Sequence, residues 1–420
     1  MVNPRIFYTL GLWLLLPYIF LYLLWRSRRQ PEYLKHLGER FGFYSTHSDK
    51  PVIWLHTVSV GETRAAASLV QRLREIYPGH QLLFTHATPT GRASSKLLYG
   101  NDVLRVYLPY DYPFAVKCFL KRFRPRIGIL LETEIWFNLI HACKIKQIPL
   151  LLLNARLSEK SARGYKRVAR LAHGSLGELT AIAAQTADDA ARLTALGASN
   201  VSIMGNLKFD IEPPAAMLAL GNELRKQFGA ERKVFLAAST REGEETLLLD
   251  SLEQAAIPHL LTVIVPRHPQ RFGEVATLLA RRGIRFQRRS EGRPIAPETQ
   301  VVLGDSMGEM FAYYAACDLA LIGGSLLSFG GQNLIEACAA GKPALIGPHT
   351  YNFAQASNLA VSCGAAVRIQ DTTQLAQTLQ DLFSNPGRVA EIGDAGLRFV
   401  NANRGATEHA IVHINRFIAK

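Results

Sequence analysis

"VIWLHTVSVGET", residues 52–63, decides how the chain is read. Its first five residues form an unalternating apolar run, which predicts a strand covered on both faces. The chain then turns through Gly61 to an acid, Glu62. Ser59 and Glu62 stand three apart, the spacing of a capping box in which a serine opens a helix and an acid reaches back to it. A strand running straight into a helix start is the opening of a βα unit. In a parallel sheet that turn lies at the carboxyl end of the strand, where α/β proteins bind ligands. Glu62 is therefore a candidate for two duties, helix cap and acceptor of a proton from an attacking hydroxyl. A helix N-terminus favours the carboxylate, so Glu62 is expected to be ionised at neutral pH.

Outward from this stretch the same pattern repeats. Apolar runs at 81–85, 103–108, 127–131, 149–153 and 181–184 alternate with helix-like segments. "FDIEPP" at 209–214 interrupts the alternation, and its prolines predict a linker. The pattern restarts at 233–238, 260–265, 300–303, 318–322, 343–346 and 366–369. At 420 residues and 48% hydrophobic content, the chain is long and apolar enough for two cores. The reading is an α/β protein with two doubly wound, Rossmann-like domains facing a central cleft. Residues 31–210 make the first domain, 211–231 the linker and 232–420 the second, with the last helix able to pack back on the first.

Residues 1–30 stand apart as an N-terminal anchor. "IFYTLGLWLLLPYIFLYLLW", 6–25, has no charge and as a helix rises about 30 Å, the thickness of a hydrocarbon core. It is longer than a signal-peptide core and lacks a clear small-residue cleavage site. "RSRR" follows, which predicts that the bulk of the chain lies in the cytoplasm. Pro17, in mid-run, leaves open a buried helix or a hairpin lying in one leaflet.

Charge is lopsided. Residues 1–210 hold 28 Lys and Arg against 14 Asp and Glu, and the remainder holds 20 against 20, so the whole net charge of +14 belongs to the first half. That asks for an acidic partner: a nucleic acid, an anionic membrane surface or a phosphorylated ligand. The five cysteines include no CxxC pair, and the twelve histidines no HExxH, so neither a disulfide framework nor a zinc site is signalled. No GxGxxG follows the first strand of either domain and no GxxxxGK[ST] occurs, which disfavours NAD and P-loop chemistry. No Asp-x-Asp metal grip is present either, so no metal and no cofactor is expected.

Several strand-end loops carry chemistry. "LLETEIW" delivers Glu132 and Glu134, and "GNLKFD" sets Lys208 before the linker, where a cation can neutralise a leaving group. In the second domain "PRHPQR" offers Arg267 and His268 as a phosphate clamp. "GDSMGEM" and "GGSLLSFGGQNLIEACAAGKP" follow two further strands, and Glu336 on the latter suits ribose hydroxyls. Each has a structural alternative, whether helix-terminal charge, an exposed lysine or tight packing.

Together the anchor, "HTVSVGE", "LLETEIW", "NARLSEKS", "GNLKFD", "PRHPQR", "MGEM" and the long Gly-rich segment resemble the bacterial 3-deoxy-D-manno-octulosonic acid (Kdo) transferases of lipopolysaccharide synthesis, in order over nearly the whole chain. The resemblance implies the GT-B fold and inverting transfer of Kdo from CMP-Kdo to a lipid A precursor at the inner membrane. It implies Glu62 as general base, Glu132 in preference to Glu134 as the second acid, and Lys208 as the transition-state cation. It also implies contacts to CMP from Arg267, His268, Met307, Gly308, Glu309, Asn333, Leu334, Ile335 and Glu336. A GT-B transferase using another nucleotide sugar is the near alternative. A membrane-tethered nucleic-acid-binding protein is the distant one, and it is disfavoured because the basic clusters lack interleaved stacking aromatics apart from Phe119 and Phe123. No nucleic acid partner is expected.

Overall fold

The computed structural model describes residues 4–418. The outermost residues of the anchor (1–3) and of the second domain (419–420) fall outside the described ones. Each apolar run becomes a parallel strand. In the first unit these are β1 (Val52–His56), β2 (Gln81–His86), β3 (Leu104–Tyr107), β4 (Pro125–Leu131), β5 (Leu150–Ala155), β6 (Ala181–Ala184) and β7 (Val201–Ile203). They pair in the order β3-β2-β1-β4-β5-β6-β7. The second unit holds β8 (Val234–Thr240), β9 (Leu261–Pro266), β10 (Phe286–Arg288), β11 (Val301–Leu303), β12 (Leu319–Ile322), β13 (Ala344–Ile346) and β14 (Ala366–Arg368). Their order is β10-β11-β9-β8-β12-β13-β14. The chain reverses its direction of travel beside β1 in one sheet and beside β8 in the other. Such switch points open a crevice at the strand ends.

Side-chain alternation within the central strands explains why their runs are so apolar. Val52 and Trp54 enter the core on one face of the first sheet, Ile53 and Leu55 the core on the other. Leu150 and Leu152 likewise oppose Leu151 and Leu153. One unit runs up to Asp210 and resumes at Asn403; the other is Ile211–Ala402. The terminal helix Ala406–Ile418 buries Ala406, Ala410, Ile411 and Ile414 in the first unit's core. Asp210 fixes its start by accepting the backbone N–H groups of Gly405, at 2.7 Å, and Thr407.

The stretch expected as a linker, 211–231, is different. It contains a helix, Ala215–Phe228, that buries Leu224 and Phe228 and packs on the Met310–Ala316 helix. The prolines at 213 and 214 precede that helix rather than prevent it, as the fixed φ of proline allows at a helix start.

Close packing at the centre of the first sheet depends on Gly128 in β4. A Cβ there would lie 2.6 Å from Trp54 Cε3 and 2.7 Å from Leu150 Cδ1. Trp54 is fully buried and donates its Nε1–H to Thr85 Oγ1 at 2.8 Å, so the ring has little room to retreat. Gly128→Ala is expected to cost about 1–3 kcal/mol through overpacking, read as a lower denaturant midpoint. An unchanged midpoint would show that the ring gives way freely.

Candidate active site

In the first unit three acids gather at the ends of β1 and β4, on either side of the switch point. Ser59 caps the short helix Val60–Ala65, its Oγ accepting the Glu62 N–H at 3.2 Å. The Glu62 side chain turns back: Oε2 accepts the Val58 N–H at 2.8 Å and Oε1 the Ser59 hydroxyl at 2.8 Å. Its carboxyl thus reaches the residue before the cap. Glu62 is 8% exposed. Burial, then the charge of Glu132 and more weakly that of Glu134, push its pKa up, while the bonds from Val58 and Ser59 pull it down. The net shift is upward. Desolvation and like charge therefore outweigh the hydrogen bonds here.

Glu132 sits at the end of β4 in a left-handed conformation, φ 61°. For a non-glycine residue that costs about 1–2 kcal/mol. The turn projects its carboxylate to Lys208 Nζ, 3.1 Å from Oε1. Lys208 is itself held by a relay of amides. Its N–H donates to Asn206 Oδ1 at 3.0 Å, and Asn206 Nδ2 donates to Gln185 Oε1 at 3.1 Å. Gln185 Nε2 donates to the Asn154 carbonyl at 3.0 Å, and Asn154 Oδ1 accepts the Leu207 N–H at 3.1 Å. Three strand ends are thereby tied to one turn. Glu134 has a different environment: Oε2 accepts Trp136 Nε1–H at 2.7 Å and lies 3.6 Å from Nε2 of the buried His56. Glu132 and Glu134, two apart in sequence, therefore differ in partner, one facing a lysine and the other an indole and an imidazole.

In the second unit the ends of β8 and β9 are cationic. Arg267 Nε donates to Gln332 Oε1 at 3.2 Å. His268 is beside it, its pKa lowered first by burial and then by Arg241, Arg267 and Arg271. It is a neutral donor or acceptor at neutral pH rather than a second cation. Arg271 is neutralised by Glu245, at 2.5 and 3.0 Å. Arg241, which sequence reasoning missed, lies with its guanidinium 4.6 Å from the Phe329 ring centroid. Its turn is fastened by the buried Glu244, which accepts the N–H groups of Arg241 (2.8 Å), Gly324 (2.6 Å) and Leu326 (2.9 Å). That carboxylate joins the β8 turn to the Gly-rich loop. Gly323 lets the two approach, since a Cβ there would lie 2.4 Å from the Ser239 carbonyl oxygen.

The remaining expected residues separate by exposure. Met307 is half exposed and Gly308 adopts φ 85°. Glu309 accepts the Ser306 hydroxyl at 2.7 Å and faces Arg289 at 3.3 Å. Asn333 Nδ2 donates to Glu336 Oε1 at 3.3 Å. Leu334 and Ile335 are fully buried, so their side chains serve the core. Among the described residues no group of three or more His, Cys, Asp or Glu is arranged to hold a metal ion.

Two seven-stranded parallel sheets, each with chemistry at its carboxyl ends, define the GT-B class of glycosyltransferase folds. A solved glycosyltransferase from Rickettsia africae shares this fold with a TM-score of 0.59 at 15% identity, over 89% of this chain and 100% of its own. At finer grain, residues 35–211 match the family model described as 3-deoxy-D-manno-octulosonic-acid transferase (kdotransferase). The 3-deoxy-D-manno-octulosonic acid transferase of Bordetella pertussis is 40% identical over 96% of this chain and 97% of its own. That of Haemophilus influenzae is 36% identical over 97% of each. The chain belongs to the 3-deoxy-D-manno-octulosonic acid transferase family and is a glycosyltransferase.

The acid cluster gives a pH signature. The Glu62 pKa is raised above its unfolded value of 4.5. Folding therefore favours its protonated form, and that contribution is full below the unfolded pKa and lost as pH rises through the folded one. Glu62→Gln removes the titration. The parent is expected to lose melting temperature relative to the Gln variant as pH is raised from about 4 to 8. A difference that stays constant across that range would contradict the raised pKa.

Proposed function

We propose that the protein transfers Kdo from CMP-Kdo to a lipid A precursor, a tetraacylated disaccharide bisphosphate, with inversion at the anomeric carbon. Glu62 takes the proton from the acceptor hydroxyl as its oxygen attacks that carbon. The bond from the anomeric carbon to the CMP phosphate oxygen breaks, and CMP departs with the electron pair. One displacement inverts the centre. The observation that carries this reading is the Glu62 carboxyl, held by Val58 and Ser59 with its pKa raised. A raised pKa makes a carboxylate a stronger base near neutral pH. Lys208, oriented by Glu132, supplies positive charge where negative charge develops. Between the two acids of the ETE motif, the salt bridge to Lys208 favours Glu132 as the second acid.

Arg267, with Arg241 nearby in the cationic group around His268, suits the CMP phosphate. Met307, Gly308, Glu309 and the 333–336 segment complete the nucleotide site in this reading. The phosphorylated acceptor accounts for the basic first half. Lys117, Lys121, Arg163 and Lys166 are exposed there, and each cation near an anionic surface contributes about 1 kcal/mol. In this reading the enzyme works at the inner membrane, with its two units on the cytoplasmic side; the apolar N-terminal helix supports it.

Incubation with CMP-Kdo and the tetraacyl precursor, followed by mass spectrometry, tests the reaction directly. Kdo-extended lipid is the expected product, and its absence overturns the assignment. Glu62→Gln is expected to lower kcat by about 10²–10⁴ while CMP still stabilises the protein. Near-normal turnover would remove Glu62 from the chemistry. Arg267→Ala is expected to weaken stabilisation by CMP, measured with EDTA present, by about 1.5–3 kcal/mol. Protection by UDP in preference to CMP would point to a different donor.

A further inference from the structure

The helix Pro4–Ser27 is long and apolar enough to cross a bilayer, yet it is fastened along its side to the first unit. Tyr8 OH donates to Asp111 Oδ2 at 3.0 Å, and Thr9 Oγ1 lies 3.1 Å from Asn138 Nδ2. Asp111 is 2% exposed and also accepts the N–H groups of Asn138 and Leu139, so this anchorage point is part of the folded interior. Tyr112 OH donates to the Leu12 carbonyl at 2.7 Å. Trp13 meets Tyr112 and Phe114 with ring centroids 4.9 and 5.9 Å away. Further along, Phe20 stacks on Phe41 at 5.3 Å, Leu23 is buried, and Arg26 Nη2 donates to Tyr33 OH at 2.8 Å. The less exposed positions 8, 12, 16, 19, 23 and 26 recur every three or four residues, which is one helical stripe.

The attachments run from Tyr8 to Arg26, a rise of about 27 Å, close to the full thickness of a hydrocarbon core. If the docked helix stood upright with Arg26 at one interface, Tyr8 and its partner Asp111 would lie at the opposite one, and the body of the unit would be drawn through the hydrocarbon. Docked and upright are mutually exclusive. The face turned away from the body is apolar, with Phe7, Leu14, Tyr18 and Leu21 from 63 to 83% exposed and no charged residue among positions 6–25. A helix lying against water presents a polar outer face; this one does the reverse. Cations border it. Arg29 lies 5.9 Å from the Trp25 ring. Phe114, which touches Trp13, begins an exposed stripe continued by Lys117 and Lys121. The helix also touches the Ala169–Leu176 helix, beside which Lys166, Arg167 and Arg170 are exposed.

We propose that the N-terminal helix does not span the membrane but lies flat in a single leaflet, its outer face among the acyl chains and its flanking cations against anionic lipid headgroups. An apolar face rimmed by Lys and Arg is the pattern of an interfacial helix. The partner, an anionic leaflet, rests on the reading that the acceptor is a membrane lipid; the flat pose rests on the side-on docking. The first unit would then ride on the leaflet with its body on one side.

Depth-dependent fluorescence quenching tests this on the full chain. The native exposed cysteines are replaced (Cys118→Ser, Cys363→Ser), and a fluorophore is attached at Phe7→Cys, Leu14→Cys, Leu21→Cys or Trp25→Cys. The protein is bound to phosphatidylethanolamine–phosphatidylglycerol vesicles carrying nitroxides at shallow or deep acyl positions. The flat pose is expected to give similar depth at all four sites. A profile deepest at Leu14 with shallow values at Phe7 and Trp25 would mean a spanning helix and overturn it. Failure to bind vesicles, or self-association in place of binding, would overturn it as well. Turnover of detergent-dispersed acceptor by the same samples reports separately on the transferase reading, which needs no bilayer.

Discussion

Three acids at the ends of two adjacent strands cannot all be comfortable, and much of the first unit can be understood as managing that repulsion. Glu62 is buried and raised in pKa by its own desolvation and by Glu132. Glu132 answers with a lysine at 3.1 Å, reached only by adopting a left-handed backbone at the strand end. Glu134 answers with the Trp136 indole N–H. The amide relay through Asn154, Gln185 and Asn206 exists to hold the Lys208 turn, because a lysine on a free loop would not stay within reach of Glu132. Like charge is tolerated here as it is at active sites generally, where it moves a pKa towards the working pH.

The second unit solves the opposite problem, an accumulation of arginines. Two consecutive glutamates divide the work. Glu245 takes the Arg271 guanidinium, and Glu244, buried, takes three backbone N–H groups that shape the β8 turn and the Gly-rich loop. Beside them at the strand ends stand Arg241, Arg267 and a histidine whose pKa is lowered first by burial and then by the arginines. An acid cluster suits proton removal and a cation cluster suits a phosphate.

Much of this was legible in the sequence, for identifiable reasons. Twelve strands showed themselves because their runs are mainly apolar, and most of them are covered on both faces. The two that did not, β7 and β10, are three-residue edge strands that mix polar and apolar residues, so their composition carries little signal. The helix at 215–228 was hidden behind two prolines that introduce it. At the site, Glu62 was visible through its spacing from Ser59, and the acids and Lys208 through their place at strand ends. Which residue each would meet was not visible. The Glu132–Lys208 contact spans 76 positions, and Arg241 and Glu244 lie in a turn without a distinctive pattern. The upward shift of Glu62 was not visible either, because a local rule, the helix start, is readable in a sequence, whereas burial and the approach of Glu132 are products of the fold.

The account turns on the claim that Glu132 and burial together raise the Glu62 carboxyl. The most direct measurement is an NMR titration of side-chain ¹³C-labelled glutamate in the parent, with Glu62 assigned by its disappearance in a Glu62→Gln sample, and repeated in Glu132→Gln. The expected result is a Glu62 pKa above the ordinary value of 4.5 in the parent and a fall when Glu132 loses its charge. A Glu62 carboxyl that titrates at or below that value, or that does not respond to Glu132→Gln, would contradict the account.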